Sequence, residues 1–364
     1  MLNTPDLIIH IIGTQPMPNL LATLHWGTDN ILLATDKTKH IASSIKTIAE
    51  SHNLKAEIIS IPKNDFRTLN ESLKTLLNSY QNKKVWLHLT GGTKLMVMAG
   101  YHFAQNFKLP VIYLDFDRTT FITILPDGNI IENTLDVKVH IDDYLFVHGY
   151  SIKLRKSSVL PQLEHFSKLI GENHQKILPR PSDRVPLKGR KNRKKKLHDL
   201  YSDHEKHPEG TNNCLRKRLF SNLKNFYKAD YKKIKKFLNG EWLEIFTFSK
   251  IKKLFDESYY QVQLHQKLRS VSNEIDVIGI RNNRFYIISC KTGIITKEHL
   301  AELDVLRRLI GGVQSRAALV TSNSFLPSPI RELLLRADIY NIKIFTVENF
   351  KTLEMDFSEW LNEQ

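Results

Sequence analysis

Ser272-Asn-Glu-Ile-Asp-Val-Ile-Gly-Ile-Arg-Asn-Asn-Arg-Phe-Tyr-Ile-Ile-Ser-Cys-Lys-Thr292 consists of two apolar runs around Asn282-Asn283. Asparagine tolerates the positive φ that both central residues of a two-residue turn require, so the stretch predicts a β-hairpin. If Arg281 faces Arg284, then Asp276 lies opposite Ser289 and Glu274 opposite Lys291. Side chains alternate along a strand, which puts all four on one face with Ile278, Ile280, Phe285 and Ile287. The other face carries Ile275, Val277, Tyr286, Ile288 and Cys290. Both faces therefore read as buried.

Charge at the end of a buried hairpin needs a reason, because burying an unpaired ion costs several kcal/mol, roughly, even after relaxation. One reason is a cross-strand ion pair between Glu274 and Lys291, worth about 0.2 to 1 kcal/mol. The other is catalysis. Upstream, Gly240-Glu-Trp-Leu-Glu-Ile-Phe246 places Glu241 and Glu244 three apart, on one face of a helix. A helix acid, an acid on one strand and a lysine on the next resemble the PD-(D/E)XK restriction-endonuclease-like fold. The resemblance implies Glu244 as the helix acid, Asp276 as the central metal ligand and Lys291 as the lysine of the last motif. It also implies that Glu244, Asp276 and the Cys290 carbonyl hold Mg²⁺ or Mn²⁺, with Lys291 beside the attacking water. Ser289 stands where an acid is expected. A neutral hydroxyl is a weaker ligand for a hard dication, so the site either binds metal less tightly or recruits Glu274; alternatively the domain binds nucleic acid without cutting it.

The N-terminal half has a different pattern. Apolar runs at Leu7 to Ile12, Ile31 to Ala34, Ile58 to Ile61, Val85 to Leu89 and Val111 to Leu114 alternate with helical segments, which predicts a doubly wound α/β sheet. Turn-rich loops follow two strands: Gly13-Thr-Gln-Pro-Met-Pro-Asn19 and Thr90-Gly-Gly-Thr-Lys94. Such sheets bind ligands beyond their C-terminal strand ends, at the switch point. Gly91-Gly92 lets backbone amides approach a ligand, and the helix from Thr93 through Phe107 offers an anion its N-terminus. The absence of GxxxxGK[ST] and of GxGxxG argues against ATP hydrolysis and dinucleotide binding.

Leu89-Thr-Gly-Gly-Thr-Lys-Leu-Met96, with the polar first loop, resembles the CARF domain over about residues 1–145. With the nuclease-like end, the chain is similar to the CARF nucleases of type III CRISPR antiviral defence. The resemblance implies a Rossmann-like CARF domain (1–145), a basic connector (146–236) and a restriction-endonuclease-like α/β domain (237–364). It further implies a homodimer that grips one cyclic oligoadenylate, cyclic tetra-adenylate, on its two-fold axis through Thr14, Gln15, Asn19, Gly91, Gly92, Thr93 and Lys94. The implied substrate is DNA, nicked or cut as a single strand, with RNA as an added or alternative target.

Composition bounds these readings. The chain has 364 residues, enough for two domains and a connector, and a formal charge of +15. Residues 184–196 hold eight basic residues and no acid, and 214–236 hold nine against one, so the excess lies almost wholly in the connector. There it can draw a polyanion with little regard to sequence. Leu215, Leu219, Leu223 and Phe226 recur at helical spacing in the second run. Two cysteines, Cys214 and Cys290, make no disulfide framework and point to a reducing cytoplasm. No apolar run is long enough to span a membrane. His198, His204, His207 and Cys214 lack the paired spacing of a zinc site. Trp86 and Trp242 read as core anchors, and Arg307 and Arg308 as solvated surface.

Overall fold

The computed structural model describes residues 4–61, 65–173, 177, 211–266, 272–323 and 330–363. Two mixed α/β sheets account for the strands. The first contains β1 (Leu7–Ile11), β2 (Asp29–Ala34), β3 (Ala56–Ser60), β4 (Val85–His88), β5 (Val111–Asp115), β6 (Thr120–Ile124) and β7 (Ile130–Thr134). Their spatial order is 3-2-1-4-5-6-7. The first five pair in parallel, with β6 and β7 added antiparallel. Helices α1 (Met17–Trp26), α2 (Lys39–Ser51), α3 (Phe66–Ser79) and α4 (Lys94–Phe107) make the crossovers. The order reverses between β1 and β4, so the two loops singled out in the sequence flank the switch point.

Helix α5 (Ile141–Val147) leads into β8 (Tyr150–Lys156) and α6 (Pro161–Glu172). After the stretch outside the described residues come α7 (Thr211–Phe226) and α8 (Tyr231–Lys236). A π turn (Phe237–Glu241) then runs into α9 (Trp242–Ile251). The second sheet follows: β9 (Glu257–Gln266), β10 (Ser272–Arg281), β11 (Arg284–Lys291), α10 (Lys297–Gly311), β12 (Arg316–Thr321), α11 (Ile330–Ile339), β13 (Ile342–Phe345) and α12 (Leu353–Asn362). Its order is 13-12-11-10-9-8.

Part of the expected connector thus belongs to the second domain: β8 is its edge strand, and α6 packs on α9, where Gly171 lies against the Phe246 ring. Helix α7 forms where the leucine spacing predicts it and buries Leu219 and Leu223 in the same core. The basic run 184–196, along with His198, His204 and His207, lies outside the described residues. Trp86 and Trp242 are both buried, as core anchors should be. Arg307 is not surface: it is buried, bonded to Asp304 (2.6 Å) and the Ser315 carbonyl (2.8 Å), while Arg308 caps the same carboxylate from outside. Among the described residues, no helix is long and apolar enough to cross a membrane.

One apolar cluster joins the two sheets. It runs from Ile8 and Leu32 of the first through Ile141, Tyr144 and Leu145 of α5 to Ile278, Phe285 and Ile287 of the second. Fully burying a side chain the size of Phe285 is worth about 1.5 to 3 kcal/mol, so this shared core couples the domains firmly. A second cluster, on the opposite face of the second sheet, holds Val277, Tyr286 and Ile288 against α9 and α12.

Candidate functional site

The hairpin forms in the expected register, with Arg281 opposite Arg284 and Val277 opposite Ile288. Both turn residues have positive φ, +50° at Asn282 and +59° at Asn283. From the turn back to Val277, the alternation also holds. It fails at Asp276. Ile275 should join Val277 in the α9-side cluster but packs in the inter-domain one. Neighbouring β9 makes the same crossing: Tyr260 packs on the α9 side, Val262 and Leu264 on the other. Between them lies Gln261, with a φ of +50° inside a strand. A left-handed residue rotates the strand, the later side chains exchange faces, and β10 turns with its neighbour to keep the pairing.

The expectation that Glu274, Asp276, Ser289 and Lys291 share one face is therefore corrected. Glu274 is exposed and bonded to Gln263 (2.9 Å). The expected ion pair with Lys291 is not among those formed by the described residues. Asp276 instead inserts its carboxylate between the strands. Its Oδ2 accepts the Cys290 N–H (2.6 Å) and the Ser289 hydroxyl (3.2 Å). An acid at position 289 would set a further negative charge beside Asp276; the serine donates a hydrogen bond instead.

Glu244, on the first turn of α9, faces Asp276. Burial and then the Asp276 charge push its carboxyl up to about 7, against a bond from Gln261 that favours the charged form. Asp276 is also raised, chiefly by burial, while the Cys290 N–H, Lys291 and Ser289 oppose the rise. Burial and the Asp276 charge push the Cys290 thiol well up, so it is no nucleophile at neutral pH. Thr292 Oγ1 bonds the Asn239 carbonyl, tying the end of β11 to the π turn that launches α9. Single π turns recur at functional sites.

Two half-buried carboxylates, both raised chiefly by burial and Glu244 further by the Asp276 charge, describe a place where a dication would be welcome. Among the described residues, no group of three His, Cys, Asp or Glu side chains converges on such a point. The protein's share would then be two carboxylates, with water and phosphate oxygens to complete the shell, as is common for Mg²⁺. The residues fit the ion on that basis.

At the switch point the two loops of the first domain touch backbone to backbone: a Cβ on Gly13 would lie 2.6 Å from Gly92 N. Gly92 has a φ of +89°, suited to glycine alone. Thr14, Thr93 and Lys94 are exposed at the cleft. The Thr93 hydroxyl caps α4 by accepting the Met96 N–H (3.3 Å), and the first intrahelical bond is Val97 N–H to the Thr93 carbonyl. The N–H groups of Lys94 and Leu95 precede that bond and can face an anion. Asn19 does not fit the expected ligand role. It is fully buried, braces the Ile11 carbonyl (3.1 Å) from below and fills the space behind Gly91.

Sequence reasoning missed the layer beneath. His10 of β1 and His88 of β4 meet at 3.1 Å, Nδ1 to Nδ1, with His10 Nε2 on Asn30 Oδ1 (2.9 Å) and His88 Nε2 on Thr90 Oγ1 (2.8 Å). Thr90 Oγ1 also accepts the Leu114 N–H (2.7 Å). Burial pushes His10 down to about 4 and His88 well below its usual value, so both are neutral. Asn30 Oδ1 can only accept, so His10 carries its proton on Nε2, His88 on Nδ1, and Thr90 donates to His88. This chain fixes β1 to β4 directly under the cleft. Two histidines within otherwise continuous apolar strands are the signal that could have found it.

Gln15 connects the cleft to the other domain. Its Oε1 accepts the Val313 N–H (3.2 Å), just beyond α10. Nearby, Tyr144 donates to the Gly311 carbonyl (2.7 Å) and stacks on Phe285. The hairpin turn reaches back: Asn283 accepts the Val139 N–H (2.9 Å) and donates to the Val137 carbonyl (2.6 Å), and Arg284 pairs with Asp117 (2.8 Å).

Residues 7–144 match the family described as the Card1 CARF domain, and residues 231–363 the Card1-like endonuclease domain. The chain thus carries a Card1 CARF domain and a Card1-like endonuclease domain. Solved structures agree in fold. Protein VC1899 from Vibrio cholerae superposes with a TM-score of 0.77 at 20% identity, covering 97% of each chain. Can2 from Sulfobacillus thermosulfidooxidans, solved in complex with cyclic tetra-adenylate, gives 0.75 at 18%, covering 98% of this chain and 97% of its own. A type III CRISPR defence DNA nuclease activated by cyclic oligoadenylate gives 0.54 at 16%, covering 92% of this chain and 47% of its own. No curated protein matches significantly. The Card1-type architecture accounts for a CARF cleft and a nuclease site on one chain.

Proposed function

We propose that this endonuclease is switched on by a cyclic oligoadenylate, cyclic tetra-adenylate, and that it cuts nucleic acid in type III CRISPR defence at a site built from Glu244, Asp276, Ser289 and Lys291 with Mg²⁺ or Mn²⁺. One observation carries the coupling: the hairpin that bears Asp276 and Lys291 at its open end is anchored by its turn, through Asn283, to the CARF domain. A shift of the CARF domain is thereby delivered to the acids.

Glu244, Asp276 and the Cys290 carbonyl would hold the dication. When bound, such an ion would supply stabilisation of charge on the phosphoryl oxygens and a lowered pKa for water. Ser289 and the Cys290 N–H fix the Asp276 carboxylate. Lys291 would sit beside the attacking water and favour its deprotonated form. Lys232, Lys233, Lys235 and Lys236, exposed on α8 immediately before the π turn, line an approach for DNA, and for RNA as a second target.

Supercoiled plasmid and labelled RNA, each incubated with Mn²⁺ with and without cyclic tetra-adenylate, test this reading. Nicked plasmid appearing only with the ring supports it. Ser289 motivates a second reading, a nucleic-acid-binding regulator; plasmid bound under every condition and never nicked would establish that instead.

Cyclic tetra-adenylate is symmetric, and a two-fold homodimer offers it two equivalent clefts. Leu95, Met98 and Tyr101, three apart along α4, are exposed at 45%, 65% and 44%, an apolar stripe beside the cleft that suits the dimer face. Met98→Asp is expected to halve the mass in sedimentation and to abolish ring binding. A dimer that persists unchanged would show that the interface lies elsewhere.

Gln15 is expected to transmit the signal, since a ligand in the cleft competes with Val313 for its side chain. Allosteric couplings typically span about 5- to 150-fold, so Gln15→Ala should lower the ratio of stimulated to basal cleavage at least about fivefold. Initial rates at saturating ring decide the point, and an unchanged ratio removes Gln15 from the route.

A further inference from the structure

Gln261 has every polar group of its side chain engaged at the nuclease site. Its Nε2 donates to Glu241 Oε1 and to Glu244 Oε2, both at 2.9 Å. Its Oε1 accepts from Lys156 Nζ at 2.6 Å. The Lys156 ammonium can only donate and the two carboxylates accept, so the amide cannot be turned the other way round. Gln261 is also the residue at which β9 exchanges faces, at a φ of +50°. Holding a non-glycine residue in that region costs of order 1 to 3 kcal/mol and persists where the surroundings impose it, often beside functional groups.

We propose that Gln261 is a positioning residue of the nuclease site: it divides its two amide hydrogens between Glu241 and Glu244 and so aims the Glu244 carboxylate at Asp276, ready for a dication. Lys156, from the edge strand β8, fixes the amide in turn. The proposal rests on the reading that Glu244 and Asp276 take Mg²⁺ or Mn²⁺. Glu241 and Glu244 stand close enough to repel; the shared amide lets both remain near the site while leaving the other Glu244 oxygen available. The strand exchange at Gln261 and the strand exchange at Asp276 are then one device, since each keeps its side chain beside α9.

The test is Mn²⁺ binding by calorimetry to the full-length protein and to Gln261→Met, which keeps the length of the side chain and removes the amide. The Mn²⁺ concentration for half-maximal cleavage is the second readout. Loss of an outer partner of a metal ligand typically weakens metal affinity about 10- to 100-fold, so Gln261→Met should bind Mn²⁺ at least about tenfold more weakly, with its rate at saturating Mn²⁺ changed far less. Lys156→Met, at an exposed position, should show a smaller loss in the same direction. A folded Gln261→Met protein with the parent's Mn²⁺ affinity overturns the proposal. Should that variant fail to fold, parental affinity in Lys156→Met overturns it equally. Absence of Mn²⁺ binding to the parent would instead sink the reading of the site itself, and the proposal with it.

Discussion

Asp276→Ala is expected to lower ring-stimulated cleavage at least about a thousandfold, because losing several kcal/mol of charge stabilisation in the transition state costs a factor of ten per 1.4 kcal/mol, roughly. Lys291→Ala should lose a comparable amount by removing the cation beside the attacking water. The two variants differ in another respect. Asp276 and Glu244 are both raised chiefly by burial, and Glu244 further by the Asp276 charge, so in the metal-free protein they oppose folding once both are charged. A carboxyl raised in the folded state contributes stability at low pH, and that contribution is lost as pH climbs from the unfolded value through the folded one, here about 7 for Glu244. Asp276→Ala should therefore be inactive without melting earlier at pH 8, and in it Glu244 should titrate closer to an ordinary carboxyl. Cleavage at the parental rate by either variant would overturn the site assignment; inactivity with early melting would reduce Asp276 to a structural role.

Gly91→Ala should abolish the response to cyclic tetra-adenylate. A Cβ there would lie 2.4 Å from the Ile11 carbonyl oxygen, 2.6 Å from Asn19 Oδ1 and 3.1 Å from Gly13 N. Two of these are backbone atoms of the strand and loop that form the cleft, and the third is a buried side chain, so the Gly91-Gly92 turn has to move. Binding should weaken at least about 100-fold, equivalent to about 2.7 kcal/mol. Gly128→Ala is the control. It also has positive φ, +86°, but nothing within 4 Å of the added carbon. It should cost about 1 to 3 kcal/mol of stability and leave ring binding intact. Parental affinity in Gly91→Ala would place the ligand elsewhere on the CARF domain.

The sequence was most informative where a single local rule governs geometry. Asn282-Asn283 set the hairpin register, because only a few residue types tolerate the turn. The apolar runs and the two glycine-bearing loops placed the switch point, because parallel strands buried on both sides have no polar alternation to obscure them. Legibility stopped where tertiary contacts override period 2. Nothing in Tyr259-Tyr260-Gln261-Val262 marks Gln261 as left-handed, and the exchange of faces there carries Asp276 away from Glu274. Asn19 read as a cleft residue from its position in a polar loop, yet it is the brace under that loop. Arg307 looked like surface because its partners, Asp304 and the Ser315 carbonyl, are set by how α10 meets β12.

At the nuclease site a carboxylate from a helix and one from a β-strand are expected to meet at a dication beside a lysine. Anomalous scattering from crystals soaked in Mn²⁺ tests it most directly. One strong peak is expected at coordination distance, about 2.1 Å, from both Glu244 and Asp276, and no peak in Asp276→Ala. A peak bound elsewhere, or carboxylates turned apart with no metal between them, would contradict it.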